Sequence, residues 1–131
     1  MNTFEKLIAD AGQGDADAQC DLGLAYYDGE GVERDYTKAA KWLSKAVENG
    51  NECALYNLAF QYQYGEGVSQ DFELAEELYL RYLELETSAF VQGQLGALYR
   101  NDNNPRRDDF AALRYHEEAA VWLICTSSLP E

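Results

Sequence analysis

The stretch Gly29-Glu30-Gly31-Val32-Glu33-Arg34-Asp35 decides the fold, because it returns 36 residues later as Gly65-Glu66-Gly67-Val68-Ser69-Gln70-Asp71. The glycines, the valine and the aspartate are in register in the two copies. Positions outside the turn repeat at the same offset: Leu22 with Leu58, Tyr26 with Tyr62, Tyr36 with Phe72, and Ala39 with Ala75. Self-similarity at a fixed period of this length is typical of stacked helical hairpins.

Two residue types in this stretch predict a sharp connection between helices. The glycines suit positions just past a helix end, where the chain needs a positive φ that only glycine adopts without steric cost. Asp35 and Asp71 are predicted N-caps, because a carboxylate there can accept hydrogen bonds from the unpaired N–H groups of the next helix. The sequence therefore predicts that one helix ends before each glycine turn and that another begins after each aspartate.

A third copy of the repeat is degraded. Leu95-Gly96 and Tyr99 recur one residue late, but the glycine turn is replaced by Asn101-Asp102-Asn103-Asn104-Pro105. Asn and Asp tolerate left-handed backbone better than other non-glycine residues, so we expect the turn geometry to survive. Asp108 or Asp109 is then expected to cap the last helix.

The repeated residues resemble those of the Sel1-like repeat family, a relative of the tetratricopeptide repeats. In the first unit they are Leu22-Gly23, Tyr26, Gly29-x-Gly31-Val32, Asp35, Ala39, Trp42, Ala46 and Gly50. The resemblance extends over roughly Ala16 to Ala120. It implies an all-α, right-handed α-solenoid of antiparallel helix hairpins that binds other proteins, usually without catalysis.

A chain of 131 residues is about the length of one domain. We expect a single repeat domain over residues 1–131, with units at about 16–51, 52–87 and 88–124. Residues 3–11 align with the second helix of a unit whose first helix is missing. We expect this half-repeat to cap the N-terminal end of the stack.

The composition is strongly acidic: 24 Asp and Glu against 10 Lys and Arg give a formal net charge of -14. This charge repels phosphate backbones and anionic lipid surfaces, so we expect neither nucleic acid nor membrane as a partner. The same field attracts basic proteins, although acidity also serves solubility. The longest apolar run, Ala119 to Cys125, is too short to span a bilayer.

Three cysteines, Cys20, Cys53 and Cys125, cannot all pair within one chain, and none lies at metal-ligand spacing from another. Residues 1–6 lack the basic and apolar regions of a signal peptide. The sequence therefore predicts a cytoplasmic protein without disulfides and without a bound metal.

No catalytic or cofactor-binding residue is predicted. His116 falls at the repeat position of Leu43 and Tyr79, where a packed imidazole is expected instead of a general base. The segment Asp102-Asn103-Asn104 lacks the spaced carboxylates of an EF-hand loop. An enzyme is therefore the least favoured of the three function classes.

The helix from Cys53 to Tyr64 is apolar on two sides, which is more than core packing requires. By the resemblance to tetratricopeptide-type repeats, the second side lines a concave groove. The predicted partner-binding residues are Tyr27, Tyr56, Phe60, Gln63, Tyr64, Phe90 and Arg100. Clustered aromatics of this kind are typical anchors for protein recognition. The alternative is that packing between repeats covers these side chains.

The leading function is a non-catalytic module that binds a partner protein or peptide in this aromatic groove. The alternative is an acidic immunity or inhibitor protein that neutralises a basic toxin or enzyme. A weak end-on homodimer is also expected through Trp122 and its neighbours Val121, Leu123 and Ile124, because no capping helix follows them.

Overall fold

The computed structural model describes the backbone of residues 3–127 and the side chains of residues 3–118. The helices are α1 (Thr3–Gly12), α2 (Ala16–Asp28), α3 (Tyr36–Glu48), α4 (Cys53–Tyr64), α5 (Phe72–Leu85), α6 (Ala89–Arg100) and α7 (Asp109–Ser127). No strand occurs within residues 3–127, which confirms the all-α prediction. Within the same range, no helix is both long enough and apolar enough to cross a membrane.

The helices stack in chain order as hairpins. The closest packing is within the pairs α2 with α3, α4 with α5, and α6 with α7, while α1 packs on α2. Successive hairpins meet through α3 with α4 and through α5 with α6. The predicted arrangement of helix hairpins is therefore confirmed, and the second helix of each hairpin packs on the first helix of the next.

The glycine turns have the predicted conformation. Gly29 follows α2 with φ 71°, and Gly65 follows α4 with φ 67°, both in the left-handed region. The Gly29 N–H donates to the carbonyl of Ala25, and the Gly65 N–H donates to the carbonyl of Gln61. These bonds pair carbonyl groups that the end of an α-helix would otherwise leave without a partner.

The aspartates after each turn are N-caps, as predicted. Asp35 Oδ1 accepts from the Lys38 N–H, and Asp71 Oδ1 accepts from the Leu74 N–H, both at 3.0 Å. The third unit uses Asp108, whose Oδ1 accepts from the N–H groups of Phe110 and Ala111.

The backbone N–H of each capping aspartate also ties the turn together. It donates to the carbonyl of a tyrosine in the preceding helix at 2.9 Å in all three units. The pairs are Asp35 with Tyr26, Asp71 with Tyr62, and Asp108 with Tyr99. The three turns therefore span the same distance although only two of them contain glycine.

The backbone conformation of the third turn differs from the one that the sequence predicted. Asn101 has φ -67° and ψ 125°, and no non-glycine residue in the described chain has a positive φ. The prediction of a left-handed Asn or Asp is therefore wrong. Instead, the buried Asn104 donates from Nδ2 to the carbonyl of Leu98 at 2.8 Å. A side-chain amide thus pairs a helix-end carbonyl, as the glycine N–H groups do in the other units.

The main core runs between the hairpins from Cys20 to Leu98, with Leu43 and Tyr79 fully buried. A smaller cluster of Ala11, Ala18 and Leu22 joins α1 to α2. Leu85 lies outside this core and is 54% exposed. It is the last residue of α5, one turn beyond the part that packs on α4.

Candidate partner-binding groove

The first helices of the three hairpins enclose a cavity of about 200 Å³. Three of the predicted partner-binding residues, Tyr27, Phe60 and Phe90, line it together. The remaining lining residues are Leu24, Leu43 and Asn57. Because the three aromatic rings come from α2, α4 and α6, the cavity exists only when all three units are stacked.

The aromatic residues cross the three helices diagonally. Tyr27 lies in the last turn of α2, Phe60 in the second half of α4, and Phe90 in the first turn of α6. Leu24 and Asn57 belong to the same cavity but were not among the predicted site residues. Leu24 could have been found from the sequence, because it lies 36 residues before Phe60 at the same repeat position.

Tyr27 is a fixed wall of the cavity. Its hydroxyl donates to Glu66 Oε1 at 2.7 Å, which links α2 to the turn of the second unit. Its ring centroid lies 4.9 Å from that of Tyr36. Burial, followed by the hydrogen bond to the Glu66 carboxylate, raises the pKa of the Tyr27 hydroxyl above its ordinary value. Tyr27 is therefore protonated and held in place at neutral pH.

Phe60 and Tyr64 form an aromatic pair at the rim of the cavity. Their ring centroids are 4.6 Å apart, one turn apart on α4. Tyr64 is 48% exposed, and its hydroxyl donates to Gln94 Oε1 on α6 at 3.3 Å. Phe90, on the opposite side of the cavity, is 56% exposed. These partly exposed rings are accessible to a partner without any rearrangement.

Tyr56 has a packing role that the sequence did not reveal. Its ring centroid lies 4.9 Å from that of Tyr82 and 6.2 Å from that of Phe90, both edge to face. The side chain is half-buried against the main core, and this burial raises the pKa of its hydroxyl. Packing between repeats therefore covers part of Tyr56, which is the alternative that the sequence had left open, and a partner contact at Tyr56 stays a prediction.

Gln63 was predicted to bind a partner, but the structure places its side chain in the interior. It is only 2% exposed, and its Oε1 accepts from the hydroxyl of Tyr79 at 2.7 Å. Its Nε2 donates to the carbonyl of Gln94 on the next hairpin at 3.4 Å. Gln63 thus provides the hydrogen-bond acceptor for the hydroxyl of the fully buried Tyr79, so the Gln63 side chain is not available to a partner. The prediction that Gln63 hydrogen-bonds a bound protein is wrong for this structure.

Arg100 is exposed but lies apart from the cavity. It is the last residue of α6, whereas Phe90 is in the first turn, so about 15 Å of helix separates them. The described structure brings Tyr27, Phe60, Phe90, Tyr64 and Tyr56 together, and it does not bring Arg100 to them. A partner contact at Arg100 stays a prediction.

A second, more open pocket of about 510 Å³ lies beside α1 and shares Leu24 with the aromatic cavity. Phe4 and Leu7 form its apolar side, and Asp21, Asp28 and Glu30 supply carboxylates. All three carboxylates are exposed, and none takes part in an ion pair within residues 3–118. The groove is therefore aromatic at its centre and acidic towards its N-terminal end.

The features that could carry chemistry are few in the described chain. Residues 3–118 contain no cluster of His, Cys, Asp or Glu arranged to hold a metal ion. The ring of His116 is half-buried against Gly96, where an added Cβ would lie 2.8 Å from Nε2. This contact agrees with the predicted packed imidazole.

Comparison with known proteins identifies the repeats. The model of the Sel1 repeat family matches three segments, residues 16–51, 54–82 and 90–120. The Sel1 repeat protein from Oxalobacter formigenes superposes with a TM-score of 0.68 and 30% identity, covering 93% of this chain and 91% of that one. A protective antigen of uropathogenic Escherichia coli with an SLR fold superposes with a TM-score of 0.76 and 32% identity, covering 93% of this chain and 26% of that one. The predicted α-solenoid is thereby confirmed.

Curated relatives are much longer proteins. The ERAD-associated E3 ubiquitin-protein ligase component HRD3B of Arabidopsis thaliana is 38% identical over 77 residues, which cover 59% of this chain and 13% of that protein. Protein sel-1 homolog 2 of Homo sapiens is 41% identical over 68 residues, covering 51% of this chain and 10% of that protein. Sel1-repeat proteins are generally protein-interaction modules. With three matched repeats over most of its length, the chain belongs to the Sel1 repeat family.

Proposed function

We propose that this protein binds a segment of another protein along the first helices of its hairpins, without catalysis. One apolar or aromatic side chain of the partner enters the cavity between Tyr27, Phe60 and Phe90. Basic residues of the partner lie beside Asp21, Asp28 and Glu30. The observation that carries the proposal is the cavity itself, which three units build jointly from aromatic side chains.

The size and composition of the cavity support an anchored side chain. The cavity, of about 200 Å³, is lined mainly by aromatic and leucine side chains, which suits an apolar side chain of a partner. Tyr27 and Tyr56 are held by contacts within the protein, so little conformational entropy is lost when a partner binds. Phe90 and Tyr64 are the exposed members that gain most from being covered.

The charge distribution supports a basic partner sequence. The net charge of -14 attracts cationic segments at a distance and speeds their association. The unpaired carboxylates of Asp21, Asp28 and Glu30 lie next to the apolar wall of Phe4 and Leu7. A lysine or arginine side chain could place its methylene groups on that wall and its charged end on the carboxylates.

A selection from a random peptide display library tests the proposal. The immobilised wild-type chain should enrich sequences that contain an aromatic or large aliphatic residue near one or two basic residues. Binding of a selected peptide is then measured by calorimetry to the wild type and to Phe90→Ala with Tyr64→Ala. Truncating two exposed anchors should weaken binding by about 2 kcal/mol or more.

Leu85→Ala provides the matched control, because Leu85 is as exposed as Phe90 but is not among the cavity-lining residues. It should leave the affinity unchanged. Tyr56→Ala is unsuitable for this test, since removal of a ring that packs on Tyr82 would also lower stability. Equal affinities for the wild type and the double variant, with both chains folded, would refute the groove as the binding site.

A second candidate function rests on the net charge alone. An acidic inhibitor would neutralise a basic toxin or enzyme through the exposed carboxylates of α5, such as Glu73, Glu77 and Glu84. Glu76, on the same helix, is not one of these exposed groups, because its carboxylate is buried and accepts from Arg106 at 2.9 Å. An inhibitor of this kind would lose its target when Glu73, Glu77 and Glu84 are changed to lysine, whereas a partner bound in the aromatic groove would keep most of its affinity.

A further inference from the structure

The C-terminal end of the stack exposes two large apolar side chains on α7. Phe110 is 88% exposed and Leu113 is 58% exposed, and they lie three residues apart on one face of the helix. Among the described side chains, these two are the most exposed large apolar residues. This end face, defined by Phe110 and Leu113, does not belong to the groove.

The repeat register shows what these two positions do in the other units. Leu113 corresponds to Ala40 in α3 and to Glu76 in α5. Ala40 is buried in the core against the second unit, and Glu76 is paired with Arg106 of the third unit. Both equivalents therefore contact the hairpin that follows.

The positions equivalent to Phe110 in the other two units also lie next to the following hairpin. It corresponds to Thr37 in α3 and to Glu73 in α5. The backbone at Thr37 lies so close to Gly67 of the second unit that an added Cβ there would be 2.6 Å from the Thr37 nitrogen. Glu73 lines a pocket together with Asn103 and Arg106 of the third unit. The end face is thus a continuation of the interface that joins successive hairpins.

We propose that this end face binds the same face of a second copy of the chain, forming a two-fold symmetric dimer. The charge distribution favours this end. The third unit, residues 88–124, contains four of the ten basic residues and five acidic ones, so it carries -1 while the rest of the chain carries -13. Two copies therefore repel each other least when they approach end to end through the third unit.

The face is also complementary to itself. If two α7 helices cross antiparallel with Phe110 and Leu113 at the centre, Arg114 of each copy lies opposite Asp109 of the other. Arg114 and Asp109 side chains are 65% and 68% exposed. Among the described residues, Arg114 pairs with Glu118 and lies over the Tyr115 ring, and Asp109 pairs with Arg107. Both ion pairs are at the surface, and such pairs exchange at little cost.

A head-to-tail contact fits less well. The opposite end of the stack is α1, where Ile8, at 41%, is the only exposed large apolar side chain in the described part of that helix, and Phe4 and Leu7 are half-buried. A head-to-tail contact would also form open chains of molecules instead of a closed pair. The two-fold arrangement covers the apolar residues of both copies at once.

Sedimentation equilibrium over a wide concentration range tests the dimer. The wild type should rise from 14.8 kDa towards twice that mass and no further. Phe110→Glu with Leu113→Glu should weaken self-association by about tenfold or more, because both anchors are replaced by like charges. Ile8→Glu is the matched control at the other end and should leave the masses unchanged.

A charge-swap experiment tests the antiparallel orientation. Arg114→Asp alone and Asp109→Lys alone should each dimerise less than the wild type, because each places like charges opposite one another twice. An equal mixture of the two variants should dimerise again, since both cross pairs are then complementary. A strictly monomeric wild type, masses beyond the dimer that Ile8→Glu abolishes, or a mixture that behaves like its components would overturn the proposal.

Discussion

Gly31 and Gly67 occupy the same repeat position and have nearly the same backbone, with φ 74° and 73°. Their surroundings differ. An added Cβ at Gly31 would have no heavy atom within 4 Å, whereas a Cβ at Gly67 would lie 2.6 Å from the Thr37 nitrogen and closer still to the Tyr36 carbonyl carbon. Replacing each glycine by alanine therefore separates two costs: backbone strain, which both share, and a clash between hairpins, which only Gly67 has.

The expected magnitudes follow from these surroundings. Gly31→Ala should cost about 1 kcal/mol for an L-residue in the left-handed region. Gly67→Ala should cost about 1 to 3 kcal/mol more, because the obstacle is backbone that cannot rotate away. For a chain of this length, 1 kcal/mol lowers the Tm by about 4 °C. We expect Tm to fall by about 4 °C for Gly31→Ala and by roughly 8 to 16 °C for Gly67→Ala.

Thermal unfolding followed by far-ultraviolet circular dichroism measures the difference, and urea unfolding gives the free energies independently. Both variants should keep the wild-type helical signal at low temperature. Equal destabilisation by the two substitutions would refute the close approach of the first two hairpins at Gly67. No destabilisation by either would refute the left-handed turns.

Four further experiments have expected outcomes. Tyr79→Phe should lower the free energy of unfolding by about 1 to 3 kcal/mol, measured in urea, because it leaves the buried Gln63 Oε1 without its donor. Burial raises the pKa of the Cys20 thiol to about 11, so little of it is ionised at pH 8. Iodoacetamide at pH 8 should therefore label the exposed Cys53 well before the buried Cys20, as measured by peptide mass spectrometry. Equal labelling rates would contradict this. The pKa of this thiol is 9.0 without the burial of the fold, so the stability that comes from the buried thiol is present below pH 9 and is lost as the pH rises towards 11. In that pH range, Cys20→Ala should therefore make Tm fall less steeply with pH. Arg106→Ala should destabilise more than Arg114→Ala, because Arg106 pairs with the buried Glu76 whereas the Arg114 pair is exposed; similar urea midpoints would contradict this.

The fold could be predicted because residue types within each repeat mark where its helices begin and end. The glycine turns and the capping aspartates are local signals, and the structure has both at the expected residues. The third turn was predicted in position but not in conformation. Its geometry depends on Asn104 reaching back to the carbonyl of Leu98, and such a bond across six residues is not visible in a pattern of residue types.

The candidate site could be predicted only in part. The aromatic positions of α2, α4 and α6 were identified, and Tyr27, Phe60 and Phe90 do meet in one cavity. Helical periodicity cannot distinguish a side chain that faces the groove from one that contacts the next hairpin, because both lie on the same side of the helix. Gln63 was misassigned for this reason, since its partners Tyr79 and Gln94 come from other helices. Tyr56 packs on Tyr82 of α5 for the same reason, but it stays next to Phe90 in the groove.

The prediction for Trp122 and its neighbours concerns side chains outside the described residues. The structure instead points to Phe110 and Leu113 at the same end of the stack, where the sequence had indicated an exposed face. The signal was present in the repeat alignment, because the two residues stand at positions that contact the following hairpin in units one and two.

Backbone chemical-shift mapping shows which residues a bound peptide contacts, and so tests whether the partner binds in the aromatic cavity. The ¹⁵N-labelled chain is titrated with a peptide selected from the display library. We expect the largest changes in backbone chemical shift at Leu24, Phe60 and Phe90, which line the cavity, and smaller changes at Asp21 and Asp28. Shifts concentrated at Glu73, Glu77 and Glu84 on α5, with the cavity residues unmoved, would contradict it and favour the acidic surface as the binding site.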